Sequence, residues 1–118
     1  MRYADGYVLA IPKKHLTAYR RLAKKAAKIW REHGALEARE CSGEDMKVKM
    51  VMPFTKVMKA KPNEAIIFSW IVFRSRAHRD KVNAKVMSDP RLAKMKPEDM
   101  PFDMKRMVYG GFDVIVDE

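Results

Sequence analysis

Apolar residues are most concentrated between Ala65 and Phe73, where the chain reads AIIFSWIVF. β-branched and aromatic side chains fill this run, with Ser69 as its one polar residue, and such residues favour a strand. The run is too short for a membrane helix, which needs about 20 apolar residues. Because successive side chains of a strand point to opposite faces, we predict a strand that is buried on both faces.

A second clear pattern lies just before Gly34. At an angle of about 100° per residue, apolar side chains fall on one side of a helix and basic side chains on the other. The apolar side consists of Leu16, Tyr19, Leu22, Ala23, Ala26, Ile29, Trp30 and His33, and the basic side of Lys13, Lys14, Arg20, Arg21, Lys24, Lys28 and Arg31. Gly34 follows at the position where a positive φ closes many helices. The pattern predicts an amphipathic helix.

Weaker patterns complete the series of elements. Alternating apolar and polar residues predict three further strands, over residues 3–11, 35–41 and 107–116. A second helix is expected to start at Arg76, with the Ser75 hydroxyl as its N-cap. Asp89 and Pro90 are typical of the N-cap and first residue of a short helix. Adjacent glycines in the last strand predict a bulge or a close approach by another group.

The predicted order is strand, helix, strand, strand, helix, strand. This βαββαβ order is that of a ferredoxin-like α+β fold, a four-stranded antiparallel sheet with both helices on one face. Residues 43–64 break the pattern, and we interpret them as an irregular insertion in a single domain over residues 1–118. Helices can cover only one face of the apolar central strand. We therefore predict a homodimer in which two sheets pack face to face.

The net charge of +10 raises the question of a nucleic-acid partner. Much of this charge lies on the basic side of the first helix, which carries no aromatic residue for base stacking and no known reader motif. We therefore expect a solvated basic face and no nucleic-acid partner. A single cysteine, Cys41, excludes an intrachain disulfide framework and fits a reducing compartment. With no secretory or membrane segment expected, we predict a cytoplasmic protein.

One candidate binding site lies at the start of the second helix. Arg76 and His78 stand where free N–H groups and the helix dipole favour an anion. The hypothesis is that these two residues, with Trp70 and Tyr109 as walls, bind a small carboxylate or phosphate compound. The structural alternative is that His78 packs in the core while Arg79 and the following aspartate form surface or interface ion pairs.

A second candidate site uses polar residues of the strands. Asp5, Tyr7, Glu37, Arg39 and Tyr109 could project into the barrel, where buried polar groups must be paired. The functional interpretation is an acid/base pair lining a pocket, such as Asp5 with Tyr109. The alternative is a set of structural hydrogen bonds between strands or across the dimer.

The remaining chemistry points away from a bound metal. Histidine, cysteine and acidic residues lack HxxxH, HExxH and CxxC spacing, and we predict no metal and no cofactor. The ten methionines concentrate in the insertion and in a proline-rich segment before the last strand. Their flexible thioethers suit either an adaptable apolar pocket or core packing.

Four long stretches resemble a known family. They read YADGYVLAIPKKHLTAYR, IWREHGALEARECSGED, FSWIVFRSRAHRDKVNAKVMSDPR and MPFDMKRMVYGGFDVIVDE. They resemble the YbaA-like proteins, a bacterial family defined only as a domain of unknown function, over nearly the whole chain. The resemblance implies a dimeric α+β barrel and no particular activity. Within the insertion, the stretch Lys47 to Met58, KVKMVMPFTKVM, is less typical of the family.

These observations predict a protein that binds a small anionic or aromatic molecule, or a cofactor-independent enzyme, with a pocket between helices and sheet. The alternative is a non-catalytic interaction protein that uses its dimer surface or its basic helix face. A pocket of roughly a few hundred Å³ lined by Trp70, Tyr109 and polar groups would favour the first function, and a solid barrel interior the second.

Overall fold

A computed structural model describes all 118 residues. The strands are β1 (Tyr3–Pro12), β2 (Glu37–Ser42), β3 (Glu64–Phe73) and β4 (Val108–Asp113). They form one sheet in the order β2-β3-β1-β4, and each neighbouring pair is antiparallel. The predicted α+β fold with a four-stranded antiparallel sheet is confirmed.

Helices connect these strands. They are α1 (Leu16–Glu32), α2 (Phe54–Val57), α3 (Arg76–Met87) and α4 (Pro90–Ala93), with 3-10 turns at Lys13–His15, Pro97–Asp99 and Met104–Arg106. The predicted caps are confirmed. The Ser75 hydroxyl accepts the N–H of His78 at 3.1 Å, and the Asp89 carboxylate accepts the N–H of Arg91 at 2.9 Å. Each cap satisfies an N–H group that a helix start leaves without an internal partner.

Helix α1 has the predicted amphipathic character. Tyr19, Ala23 and Ile29 are buried, whereas the basic side is exposed to solvent. Gly34 follows the helix with a φ of 118°, a conformation that glycine adopts without steric cost. None of the helices, α1 included, is long and apolar enough to cross a membrane.

The main core lies between the helices and one face of the sheet. Two clusters form it, one of Leu9, Ile11, Tyr19, Ala23 and Ile67, the other of Ile29, Ala35, Phe73, Val82 and Val86. Odd-numbered residues of β1 and β3 supply the sheet side of both clusters, as the two-residue alternation of a strand requires. Helices α1 and α3 therefore cover this face.

The opposite face of the sheet, here called the open face, is covered only in part. The insertion reaches it at one end, where Met58 packs with Ala10 and Ile66. Elsewhere Phe68 is 43% and Phe112 61% exposed. Within one chain β3 is therefore not buried on both faces. The Phe68 ring meets only Phe54 of α2 from the insertion, with ring centroids 6.0 Å apart, and cover of this face by a second subunit stays a prediction.

Two strands are shorter or displaced relative to prediction. β2 begins and ends later than expected, and β4 is shorter at both ends. No bulge forms at the glycine pair, since Gly110 lies opposite Gly6 and Gly111 opposite Asp5 in regular register. A Cβ atom on Gly111 would collide with the Tyr3 hydroxyl, so the predicted close approach is confirmed.

Candidate functional site

A cleft of about 620 Å³ opens between the helices and the sheet. Its roof includes the segment between α4 and β4, residues 94–107, here called the connector. The sixteen lining residues define the central cleft: Tyr7, Tyr19, Leu22, Ala23, Ala26, Trp30, Glu40, Asn83, Met87, Leu92, Met95, Met100, Phe102, Met104, Met107 and Tyr109. Fourteen of them are hydrophobic. The methionines of the connector thus line an apolar space.

A row of polar side chains crosses the sheet beneath the cleft. In the strand register, Glu40 lies opposite Ser69, Ser69 opposite Tyr7, and Tyr7 opposite Tyr109. These four residues, here called the polar row, alternate with the open-face positions and so share the helix-covered face. The Tyr7 and Tyr109 ring centroids are 4.9 Å apart. Ser69 and Tyr7 also line a smaller cavity of about 140 Å³ beside the central cleft.

A buried ion pair holds one end of the polar row. Asp5 is 0% exposed, and its Oδ1 atom lies 3.0 Å from Nη1 of Arg79. The same nitrogen donates to the Tyr109 hydroxyl at 2.7 Å, and this hydroxyl donates to Asp5 Oδ1 at 3.1 Å. A buried charge is tolerated when it is paired and hydrogen-bonded. The pair therefore joins α3 to the sheet and orients the phenol of Tyr109.

The hydrogen bonds continue from this pair to α1. Asn83 donates from Nδ2 to Asp5 Oδ2 at 3.3 Å, and Trp30 donates from Nε1 to Asn83 Oδ1 at 3.0 Å. Arg79 and Asn83 are four residues apart, which places them on the same side of α3. The network links β1, α3 and α1, and it reaches the cleft wall at Asn83 and Trp30.

The two phenols are protonated at neutral pH. Burial raises the pKa of Tyr7, and the negative charge of Asp5 raises it further. Burial also raises the pKa of Tyr109, again together with Asp5. Both effects disfavour the phenolate. The hydroxyls are therefore neutral groups that can donate and accept hydrogen bonds.

A carboxyl group stands at the other end of the polar row. The Tyr19 hydroxyl donates to Glu40 Oε1 at 2.6 Å. Glu40 is exposed on its edge strand, but partial desolvation of its carboxyl group raises its pKa, and the bond from Tyr19 partly opposes this rise. A carboxyl group with a raised pKa is suited to general acid/base chemistry.

The connector is anchored at two points. Arg106 binds Glu64 in a bidentate manner, with nitrogen–oxygen distances of 2.6 and 3.0 Å. The Arg106 hydrogen bond lowers the pKa of Glu64 to about 2. Nδ1 of His15 lies at hydrogen-bonding distance from the Pro101 carbonyl oxygen, at 3.0 Å. These contacts keep the connector over the central cleft.

Of the eight residues predicted for the two candidate sites, the structure brings together Asp5, Tyr7 and Tyr109. Asp5 and Tyr109 are hydrogen-bonded to each other on the helix-covered face. Trp70 lies on the open face, where its Nε1 donates to Glu37 Oε1 at 3.0 Å. Arg39, also on the open face, is exposed. The polar strand residues are therefore divided between the two faces.

The other two predicted residues lie on α3, outside the central cleft. Arg76 is exposed. His78 accepts the backbone N–H of Arg74 at Nδ1, at 3.0 Å, and its ring meets Phe73 edge-on. Burial lowers the pKa of His78, and Arg74 lowers it further, so the imidazole is neutral at neutral pH. Ligand binding by Arg76, His78 and Trp70 stays a prediction.

Sequence reasoning missed several residues of the site. Arg79 was interpreted as a surface or interface partner, and Asn83, Trp30 and Glu40 were not selected. The four-residue spacing of Arg79 and Asn83, next to the inward-facing Val82, is a signal that could have revealed them. No group of three or more histidine, cysteine or acidic side chains is arranged to hold a metal ion.

Comparisons with known proteins agree with the family resemblance. Residues 2–104 match the family described as "Protein of unknown function (DUF1428)". The chain is 48% identical over 118 residues to "Uncharacterized protein YbaA" of Escherichia coli (strain K12), with all of both chains covered. The same identity and coverage hold for "Uncharacterized protein YbaA" of Shigella flexneri. The chain therefore belongs to the DUF1428 family, whose function is not known.

Proposed function

We propose that this protein binds a small, mostly apolar molecule in the central cleft. The observation that carries the proposal is the combination of a 620 Å³ cleft, hydrophobic walls and a polar row beneath it. Ligand sites commonly have volumes of about 300–1,000 Å³, with a few fixed polar groups in apolar surroundings. A cofactor-independent enzyme would use the same groups, with Glu40 and Tyr109 as the titratable candidates.

The rigidity of the polar groups supports this proposal. The Asp5–Arg79 pair holds Tyr109 through two hydrogen bonds, so this phenol loses little freedom when a ligand binds. Preorganised polar groups reduce the entropic cost of binding. Methionines of the connector supply the adaptable part of the wall, since their side chains fill irregular spaces.

Filling the cleft tests the proposal. Ala26 lines the cleft on α1, and Ala26→Phe is expected to weaken binding of the fluorescent apolar compound N-phenylnaphthylamine by at least about tenfold, because ring and probe compete for one space. Ala18→Phe is the matched control, since Ala18 lies exposed on the same helix. Equal probe affinity in the two variants would contradict binding in the central cleft.

We further propose that the open face pairs with a second copy of the chain. The strand order and antiparallel pairing support a ferredoxin-like domain spanning residues 1–118, assembled as a dimeric α+β barrel. Phe68, Val108 and Phe112 are exposed large hydrophobic residues on this face, and extended exposed apolar patches mark interaction surfaces. Paired open faces would bury these residues in an isologous interface. The single cysteine is consistent with a cytoplasmic location.

The exposed open face also supports the alternative of a non-catalytic interaction protein. Multi-angle light scattering at micromolar concentration separates the cases. A mass of twice the chain mass supports the homodimer. A monomer would contradict it and leave the open face available to another protein.

A further inference from the structure

We infer that the central cleft selects an uncharged aromatic carbonyl compound, whose carbonyl oxygen accepts a hydrogen bond from the Tyr7 hydroxyl. This inference rests on the proposed binding function of the cleft. It deepens that function by naming the class of ligand.

The first argument concerns the three phenol hydroxyls that line the central cleft. The Tyr109 hydroxyl accepts from Arg79 and donates to Asp5, and the Tyr19 hydroxyl donates to Glu40. The hydroxyl of Tyr7 has no hydrogen-bond partner in the chain, although Tyr7 lines both cavities. No fully buried polar side-chain atom lacks a partner, so this hydroxyl borders open space. Tyr7 is therefore the phenol whose proton is available to a ligand.

The second argument concerns charge. Glu40 is the only charged residue among the sixteen that line the cleft. The guanidinium of Arg79 binds Asp5, Tyr109 and Asp80 and does not line the cleft. An anionic ligand would lose its hydration without meeting a cation, because no lysine, arginine or histidine lines the cleft, and an unpaired buried charge is unfavourable. The cleft therefore opposes the anionic ligand that the sequence had suggested for the helix start.

The third argument concerns the apolar part of the ligand. Five methionines, two tryptophan or phenylalanine rings and three phenols line the cleft. Thioether sulfur makes favourable contacts with ring edges, and aromatic pairs add to the energy of area burial. A flat ring fits these walls. The phenol proton of Tyr7 then selects an acceptor oxygen on that ring or next to it.

Three naphthalenes that carry different substituents at the same ring position test the inference: acetylnaphthalene, ethylnaphthalene and naphthoate. They share the ring system. The acetyl compound carries a carbonyl acceptor, the ethyl compound carries no acceptor, and naphthoate carries a negative charge. Dissociation constants from NMR titration of the wild-type chain are expected to be about 3- to 10-fold lower for acetylnaphthalene than for ethylnaphthalene, the range of one net hydrogen bond. Naphthoate should bind at least about tenfold more weakly than acetylnaphthalene.

Tyr7→Phe removes only the hydroxyl. It should reduce the affinity for acetylnaphthalene to that for ethylnaphthalene, and leave the latter within about twofold. Equal affinities for the acetyl and ethyl compounds, tighter binding of naphthoate, or equal loss for both neutral compounds in the variant would overturn the inference. Binding of none of the three would overturn the proposed function itself, which distinguishes the two failures. The wild-type ligand comparison stands even if the variant folds poorly.

Discussion

The two faces of the sheet differ in how the side chains that they carry are covered. On the helix-covered face, Asp5 and Arg79 form a buried ion pair that α3 completes. On the open face, Phe68 and Phe112 are exposed apolar residues, and charged Arg39 and Glu37 remain at the edge strand. A buried charge requires a partner of fixed position, which a covering helix can supply. Apolar residues need only to be removed from water, because the hydrophobic effect is not directional.

This difference shows where specificity can reside. The helix-covered face combines directional hydrogen bonds with a cleft, and so it can recognise a small molecule. The open face offers area without an extended network, which suits association with another sheet. Arg106 links the connector, which lies over the helix-covered face, to the insertion, which covers part of the open face. Besides its pair with Glu64, it donates to the carbonyl oxygens of Met58 and Lys59 in the insertion.

The largest expected effect comes from breaking the buried pair. Asp5→Ala should lower the free energy of unfolding by about 3 kcal/mol, because Arg79 then keeps only the exposed carboxylate of Asp80 in a site where its own side chain is 12% exposed. Urea unfolding at neutral pH measures this change. Arg39→Ala on the open face is the control, with an expected loss below about 1 kcal/mol. If both variants lost the same amount, the two faces would not differ in the way described.

A charge on the open face should act on assembly. Phe112→Lys is expected to weaken the proposed dimer by at least about 30-fold, which corresponds to a hot-spot loss of about 2 kcal/mol. Sedimentation at several concentrations gives the dissociation constant. Thr17→Lys, at an exposed position of α1, adds the same charge outside the open face and should leave assembly unchanged. An unaltered dimer in Phe112→Lys would remove the open face from the interface.

The Glu64–Arg106 ion pair should stabilise the fold less at low pH. The pKa of Glu64 is lowered to about 2 by Arg106, so the carboxylate stabilises the fold at a pH above its ordinary pKa of about 4.3. This contribution is lost as the pH falls from about 4.5 to about 2. Glu64→Gln should cost about 1–3 kcal/mol at pH 7. The free energy of unfolding is measured at pH 7 and at a pH of about 2. The difference in this free energy between wild type and variant should be smaller in acid, and a constant difference would contradict the ion pair.

The smallest expected effect is a difference in probe affinity between variants of the two tryptophans. Trp30→Phe should raise the dissociation constant of N-phenylnaphthylamine about 3- to 10-fold, because it loses the bond to Asn83 and loosens the cleft wall. Trp70→Phe should change it less than twofold, since this indole lies on the open face. Fluorescence titration measures both. A larger effect of Trp70→Phe would restore the predicted role of Trp70 as a wall of the site.

Local chemistry made parts of the site predictable. Asp5 and Tyr109 could be paired from the sequence because a polar residue in an apolar strand needs a partner. The identity of the third partner could not be predicted, because Arg76 and Arg79 are equally basic and are neighbours about one turn apart on α3. The packing of Val82 and Val86 against Phe73 and Ile29 sets the position of α3 on the sheet, and this position decides which arginine reaches Asp5.

The sequence by itself determined the strands, the amphipathic helix, the caps at Ser75 and Asp89, and the apolar character of β3, because period, capping chemistry and side-chain type act over a few residues. Only the tertiary structure decided which face each polar side chain occupies and which groups meet. Strand register and helix rotation set these contacts across the chain. In β3 this places Ser69 beneath the cleft, and its neighbours Phe68 and Trp70 on the open face, because alternate side chains of one strand must point in opposite directions.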